Sequence, residues 1–333
     1  MNFGPSRIEE WQLDKLFKTL LLRMKRQSKI DDMKKLVNSI LPKYKLALLN
    51  RFFLINETLN EITLLKYFLV FLDENTKFLK FEHITINDQI IKAILKIIPR
   101  YCQKIETIDF TNIFFTRDLK EDIKSFLKQT TSVKSLRVPC RLNNCAIFQL
   151  LLEEDFNLLD QDVKTGLLKI EYISGFALSA SECVRLLKLL PNLTSFGYFQ
   201  TLTPVLTYYT DDNEIVQKLS NLTELYEDET SLTTLERFVK FCPKVKKIHL
   251  SGPQKNVVEN LWKFPLLTEI QIIGSRDTRA IDFVTEIINM LKIIGKQIEI
   301  LDLFLPDEAV LDRNTIHELC PELINLEIVY DGL

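Results

Sequence analysis

The 333 residues of this chain are 46% hydrophobic and 26% charged, with a mean hydropathy of +0.03, which excludes a disordered polar chain. The net charge is −2, and residues 77–333 carry 30 Lys and Arg against 36 Asp and Glu. This acidic balance argues against a nucleic acid partner, because phosphate binding requires clustered cations.

The sequence also predicts where the protein works. No apolar secretion signal follows the first residues, and no later run of about 18 residues is apolar and uncharged. We therefore expect a cytoplasmic or nuclear protein with no membrane partner.

Residues 1–76 are predicted to form a helical domain. Four stretches have apolar residues at helical spacing, namely 7–26, 31–41, 43–55 and 59–72. Polar or helix-breaking residues separate them at 28–30, at Pro42 and at 56–58. Such a domain would cap an array of repeats, whose end otherwise exposes an apolar face.

A second interpretation of this domain is a docking module. The phrase LPKYKLALLNRFFL at 41–54 resembles a degenerate F-box or a related ubiquitin-ligase box, in which Leu-Pro opens a helix that docks on an adaptor. This chain departs from the motif in two ways, because a typical F-box begins nearer the start of its chain and lacks a helix such as the one predicted at 8–26. The resemblance implies that a cullin-RING adaptor contacts Leu41, Pro42, Leu46 and Leu49.

From residue 77 onward, a short apolar phrase recurs ten times. Its pattern is φ-x-x-φ-x-φ, where φ is apolar, and its starts are on average about 27 residues apart, near the period of leucine-rich repeats. His83 and Glu227 occupy the last apolar slot in two phrases and break the pattern there. The phrases begin at Phe78, Ile105, Val133, Leu167, Leu193, Leu222, Val245, Leu267, Ile298 and Leu323.

Two residue types keep step with the phrase. Proline stands two residues before it in four repeats, and cysteine stands three residues before it in three repeats. These residues are Pro191, Pro243, Pro265, Pro321, Cys102, Cys242 and Cys320. Because proline ends a helix and favours an extended predecessor, each repeat is predicted to hold a strand, a loop and a helix.

These junctions resemble the cysteine-containing leucine-rich-repeat family, whose helix-to-strand phrases read CPxLxxLxL. The matching stretches are 242–250, 320–328, 102–110 and 190–198. The resemblance implies an α/β leucine-rich-repeat solenoid over residues 77–333, a horseshoe with a parallel concave sheet and helices on the convex side. The Asn or Cys that usually follows the strand is seldom in place, and 151–162 is expected to be an acidic insertion or an extended connection from helix to strand.

A doubly wound or barrel α/β enzyme is the competing architecture, because alternating strands and helices predict a parallel sheet in either case. Strands of such folds are buried on both faces and read as continuous apolar runs. The present phrases keep polar pairs such as Lys246-Lys247 between their apolar residues. One exposed sheet face favours the repeat array.

No catalytic motif accompanies the repeat. GxGxxG, HExxH and nucleophile-elbow motifs are absent, and the three histidines, His83, His249 and His317, do not form metal-ligand spacings with the cysteines. We therefore expect no enzymatic activity, no metal and no cofactor. The phased cysteines are expected to be small buried residues at the helix-to-strand corners.

The concave sheet face is the predicted recognition surface. The first, fourth and sixth residues of a phrase point into the core, so the third, fifth and seventh point outward. Apolar residues on that face, rimmed by carboxylates, are typical of a protein interface. The predicted partner-binding residues are Ile173, Phe199, Tyr226, His249, Ile273, Phe304 and Val329. The alternative is that the seventh residues pack beneath a loop, a tail or the N-terminal helices.

The sequence thus predicts a protein-interaction scaffold. The family resemblance implies a substrate receptor of a cullin-RING ubiquitin ligase. The alternative is a structural or regulatory leucine-rich-repeat protein with no ligase link.

Overall fold

The computed structural model describes residues 7–26, 30–38, 40, 44–45, 47–49, 51, 61–81, 87–139, 145–153, 156–174, 178–197, 200–274, 280–306 and 309–330. The chain divides between Ile170 and Glu171 into two compact units, which we call the N-terminal and C-terminal units. Both combine parallel strands with helices, so the α/β class is confirmed. The domain boundary at 76–77 and the horseshoe shape stay predictions.

In its described part, the N-terminal unit begins with the helices α1 (Arg7–Arg26), α2 (Ile30–Asn38) and α3 (Glu61–Phe71), and residues 44–45, 47–49 and 51 are helical as well. Helix α2 shows why they form: Met33 and Val37, four residues apart, share one face and are buried, and α2 packs against α3. The helical prediction therefore holds in the described part of this region. Its role as a cap stays a prediction.

Three repeats follow in the same unit, and their strands β1, β2 and β3 are parallel neighbours in chain order. The insertion expected at 151–162 overlaps a π-helical turn (Gln149–Glu153) and contains a 3-10 turn (Phe156–Leu158). The elements are β1 (Phe78–Lys80), α4 (Asp88–Tyr101), β2 (Thr107–Asp109), α5 (Lys120–Gln129), β3 (Ser135–Pro139), α6 (Ala146–Phe148) and α7 (Gln161–Leu167).

The C-terminal unit holds a five-stranded parallel sheet in which β5 to β9 follow chain order without reversal. A doubly wound sheet reverses its strand order, so that alternative is wrong for this unit. The elements, with β4 starting at the boundary residue, are β4 (Ile170–Ser174), α8 (Ala180–Leu189), α9 (Thr203–Tyr208), α10 (Asn213–Leu219), β5 (Glu224–Asp228), α11 (Leu232–Phe241), β6 (Lys247–Ser251), β7 (Glu269–Ile273), α12 (Ala280–Ile294), β8 (Ile300–Leu305), α13 (Arg313–Leu319) and β9 (Asn325–Tyr330).

A ladder of backbone hydrogen bonds joins the second residues of successive phrases in the C-terminal unit. In each bond a backbone N–H donates to a backbone carbonyl of the preceding phrase over 2.8 Å. The donor and acceptor pairs are Thr223 and Thr194, Lys246 and Thr223, Thr268 and Lys246, Glu299 and Thr268, and Ile324 and Glu299. Each bond fixes its phrase in the predicted frame, with the fourth and sixth residues buried in β6, β7 and β8. The repeat assignment is confirmed there.

The ladder corrects the frame of the first phrase. Glu106 N–H, the second residue of the next phrase, donates to the carbonyl of Lys77 over 2.8 Å. The first phrase therefore starts at Thr76, two residues before the predicted Phe78. Phe81 fills its last apolar slot and is buried, so the break assigned to His83 arose from the frame, and His83 itself lies outside the described residues.

The fourth phrase also needs a new frame. Thr194 N–H donates to Glu171 over 2.8 Å and Ile173 N–H donates to Ser195 over 3.1 Å, which makes Glu171 the second residue and Ile173 the fourth. Toward the following strand the phrase therefore starts at Ile170. Toward β3, Leu136 N–H donates to the carbonyl of Lys169 over 3.0 Å, which makes Lys169 a third residue, as the predicted start at Leu167 requires. Ile173 is fully buried, so its predicted place on the exposed face is wrong.

The cysteines occupy the corners where a helix turns into a strand. Cys102, Cys242 and Cys320 cap α4, α11 and α13 by donating a backbone N–H to the carbonyl four residues earlier. All three are buried, and burial raises the pKa of Cys102 to about 12 and that of Cys320 to about 11. The predicted role as small buried residues at the helix-to-strand corners is confirmed.

Candidate partner-binding surface

The open face of the C-terminal sheet carries three rows of side chains that run across β5 to β9. We call it the open face because its rows hold the third, fifth and seventh phrase residues, which alternate with the buried fourth and sixth. Strand register defines each row. The third row is Glu224, Lys247, Glu269, Ile300 and Asn325, the fifth is Tyr226, His249, Gln271, Asp302 and Glu327, and the seventh is Asp228, Ser251, Ile273, Phe304 and Val329.

The seventh row changes from polar to apolar along the sheet. Asp228 and Ser251 occupy it on β5 and β6, whereas Ile273, Phe304 and Val329 lie side by side on β7, β8 and β9. Val329 is 37% exposed, and the other two are half-buried. The result is an apolar patch next to polar rows.

The fifth row begins with a buried polar network. His249 Nε2 lies 3.2 Å from Glu224 Oε1, His249 Nδ1 bonds Gln271 Oε1, and Ser195 Oγ donates to Glu224 Oε2 over 3.0 Å. Burial opposes the charge of Glu224, but the bond from His249, the charges of Lys247 and His249 and the bond from Ser195 outweigh it and lower the pKa of Glu224 to about 2. Glu224 is therefore a fixed negative charge at neutral pH.

This network is not arranged as a nucleophile with its base. The Ser195 hydroxyl bonds the carboxylate of Glu224 and not the imidazole of His249, whereas a catalytic triad places the imidazole next to the hydroxyl. Among the described residues, no group of three His, Cys, Asp or Glu side chains is placed to hold a metal ion, and no helix is long and apolar enough to span a membrane.

Lys247 divides its charge between two carboxylates of the third row. Its Nζ lies 3.6 Å from Glu224 Oε1 and 3.7 Å from Glu269 Oε2. Further along the sheet, Asp302 and Glu327 stand directly opposite each other on β8 and β9. Burial, and then the charge of Glu327, raises the pKa of Asp302.

Glu227, the second break in the phrase pattern, is buried in a core slot. Its carboxylate accepts hydrogen bonds from the N–H groups of Leu202 and Thr203 and from Thr203 Oγ1, the last over 2.6 Å. Burial is the larger effect and raises the pKa of Glu227 to about 7. The bonds fasten the chain just before and at the start of α9 to β5, a role that the sequence signalled only as a charged residue where an apolar one was expected.

The structure brings only some of the predicted binding residues to the open face. Ile273, Phe304 and Val329 lie on it, and Tyr226 and His249 belong to it by register but are more than 90% buried. Those two serve the internal network and offer little contact area. Ile173 is in the core, as shown above, and Phe199 lies outside the described residues.

Of the predicted adaptor-docking residues, only Leu49 lies in the part of the chain that the structure describes. Leu49 is only 2% exposed, which contradicts its place on a docking surface. Leu41, Pro42 and Leu46 lie outside the described residues. The docking prediction therefore gains no support.

Comparison with known proteins gives distant likenesses. No family model and no curated protein matches the sequence. The chain is similar to the leucine-rich repeat-containing protein LegL7 from Legionella pneumophila, with 12% identity and a TM-score of 0.37 over 77% of this chain and 84% of that chain. It is also similar to an internalin from Listeria monocytogenes, with 15% identity and a TM-score of 0.32 over 88% and 78%. TM-scores this low decide nothing about the fold, so the case for a repeat array is the backbone ladder and the recurring corners.

Proposed function

We propose that this protein is a leucine-rich-repeat scaffold that binds another protein through the open face of its C-terminal sheet. The observation that carries the proposal is the apolar end of the seventh row. Ile273, Phe304 and Val329 are neighbours on three consecutive strands, beside rows that hold charged residues. An apolar patch rimmed by charge is characteristic of protein interfaces.

The proposal includes no enzymatic activity and no ligase link. The one hydroxyl in the buried network of the open face, that of Ser195, is bonded to Glu224, and the pKa of about 2 makes this carboxylate a weak base. The ligase version depends on docking residues of which Leu49 is buried. A binding scaffold needs neither feature.

Site-specific photocrosslinking tests the proposal. Benzoylphenylalanine in place of Phe304 should crosslink a partner in cells, and the same group in place of Trp262 should not. Trp262 is a matched control because it is 45% exposed on a 3-10 helix (Val258–Lys263) away from the open face.

The captured partner then provides a binding assay. The double variant Ile273→Ser, Phe304→Ser should weaken its binding at least tenfold, about 1.4 kcal/mol, with little change in Tm. Unchanged binding together with a large fall in Tm would show that these side chains belong to the core, and the proposal would be wrong.

A further inference from the structure

We infer that the open face receives an arginine side chain of the partner protein between Asp302 and Glu327, with an apolar neighbour of that arginine seated on Phe304 and Val329. This inference rests on the proposed function and adds the chemistry of the partner. Four features of the sheet support it.

The first feature is a like-charge pair that the register holds together. Asp302 and Glu327 are directly opposite each other on neighbouring parallel strands, and the axes of such strands are about 4.8 Å apart. Like charges in that position destabilise a sheet. Asn325 Nδ2 donates to Asp302 Oδ1 over 3.2 Å, but within the described residues no cationic side chain lies at ion-pair distance from either carboxylate.

The second feature is that the same row is neutralised elsewhere in the molecule. In the N-terminal unit the fifth-row residues of β1, β2 and β3 are Lys80, Asp109 and Arg137, which alternate in sign. Arg137 Nη1 lies 3.5 Å from Asp109 Oδ2, although Asp109 is almost fully buried. An acid at this row is thus met by a cation across the strand, which Asp302 lacks.

The third feature is that the nearby lysine is already engaged. Lys247 Nζ is within 3.7 Å of both Glu224 and Glu269, so its ion pairs lie on the β5 to β7 side of the sheet. The charges of Lys247 and His249 also act on Asp302, but burial and the charge of Glu327 outweigh them and raise the pKa of Asp302. A positive group from outside therefore meets the field of two carboxylates on β8 and β9.

The fourth feature is the apolar floor beside the carboxylates. Phe304 and Val329 follow Asp302 and Glu327 by two residues on the same strands, about 7 Å further along. A guanidinium group matches two carboxylate groups through its fork of N–H donors and stacks on an aromatic ring, which an ammonium group does less well. Arginine beside an apolar residue is thus the side-chain pair that fits this end of the open face.

Peptide selection on the full chain tests the inference. The probe is a displayed library of random 12-residue peptides, and the selected peptides should be enriched in arginine next to Leu, Ile, Val or Phe. Replacing that arginine by citrulline, which is neutral and of similar shape, should weaken binding at least about tenfold. Enrichment of peptides without a cation, or no enrichment, would overturn the inference.

Protein variants locate the contact. The double variant Asp302→Asn, Glu327→Gln should lose the selected peptides at least about tenfold, whereas Glu318→Gln, Glu322→Gln removes the same charge from exposed positions in α13 and the turn before β9 and should bind them normally. Glu327→Arg should also abolish binding while keeping the fold, because it recreates the pair of Asp109 and Arg137. Equal binding by Glu327→Arg would overturn the inference.

The two proposals can fail separately. If selected peptides lose binding in Ile273→Ser, Phe304→Ser but not in Asp302→Asn, Glu327→Gln, the open face binds proteins without reading a cation, and only the inference is wrong. If neither double variant affects them, the open face is not the binding surface and both are wrong. Loss of binding with both double variants supports both.

Discussion

The two units fill the same core slot with different side chains. At the sixth position of the phrase, the N-terminal unit has Phe81 and Phe110 directly after the adjacent strands β1 and β2, whereas β6, β7 and β8 of the C-terminal unit have Leu250, Ile272 and Leu303. The phenyl rings stack: the centroids of Phe81 and Phe110 are 5.4 Å apart with planes 12° from parallel. The slot thus requires a buried side chain of suitable volume and does not require leucine.

The largest expected effect breaks this aromatic stack. Phe110 also meets Phe115 and Phe126 edge-on, at 5.2 and 5.7 Å between centroids. Phe110→Ala should therefore lower the free energy of unfolding by about 3–5 kcal/mol, from lost burial, an unfilled cavity and lost ring contacts. Urea denaturation followed by circular dichroism measures it.

Two control variants sharpen the comparison between the units. Phe78→Ala removes a ring of the same unit that is 43% exposed, and it should cost less than about 1 kcal/mol. Leu250→Ala, in the equivalent slot of the C-terminal unit, should cost about 2–5 kcal/mol. If Phe110→Ala costs no more than Phe78→Ala, the stack does not stabilise the N-terminal unit.

The sequence predicted correctly which residue begins a phrase wherever the apolar pattern fits only one starting position. At Val245 and Leu267, polar residues separate the apolar ones, and the backbone ladder follows the predicted frame. The first and fourth phrases contain extra apolar residues, such as Leu79 and Ile173, so the apolar pattern fits two frames. In those two phrases the hydrogen bonds to the neighbouring strands determine the starting residue, and these bonds cannot be read from the sequence of one segment alone.

The surface was less predictable than the fold, for a similar reason. The position of Phe304 and Val329 on the open face could be predicted from the alternation of side chains along a strand, which is a local property of the sequence. The burial of His249 depends on Glu224 and Gln271, which are 25 and 22 residues away in sequence. Such contacts form only when neighbouring strands align, so sequence reasoning placed His249 on a binding surface when it belongs to an internal network.

The second prediction concerns the slot that holds a carboxyl group. Because the pKa of Glu227 is about 7 in the fold against 4.5 as its ordinary value, the unfolded chain loses this proton first as pH rises. Glu227 should therefore reduce stability between pH 4.5 and pH 7, by roughly 3 kcal/mol in all, and by a constant amount above that. Below pH 4.5 it is protonated in both states and has no such effect.

Glu227→Gln isolates that effect, because the amide oxygen can accept the bonds from Leu202 and Thr203 without a charge. Relative to the unchanged protein, the variant should gain roughly 3 kcal/mol at pH 8 and little at pH 4. Urea unfolding at both pH values measures the difference. A variant that loses more stability at pH 8 than at pH 4 would mean that the carboxylate is the favoured form in the fold, and the prediction would be wrong.

The smallest expected effect tests whether corners of the two units share one geometry. Thr130 occupies in the N-terminal unit the corner slot that Cys242 occupies in the C-terminal unit, and each donates its N–H to the carbonyl four residues earlier, in Phe126 and Phe238. The Thr130 hydroxyl also donates to Phe126 O over 2.9 Å. If the geometry is shared, the hydroxyl in Cys242→Thr donates to the Phe238 carbonyl in the same way and is not left unpaired.

The control variant is Cys242→Val, which has the same shape as Cys242→Thr without the hydroxyl. The two variants should then agree within about 1 kcal/mol in urea denaturation, because a satisfied buried hydroxyl contributes little net free energy, whereas an unsatisfied one costs about 1–3 kcal/mol. A threonine variant that is less stable than the valine variant by more than about 2 kcal/mol would show that the cysteine corner differs in geometry from the threonine corner. The phased cysteines would then be required by the shape of the corners in their own repeats.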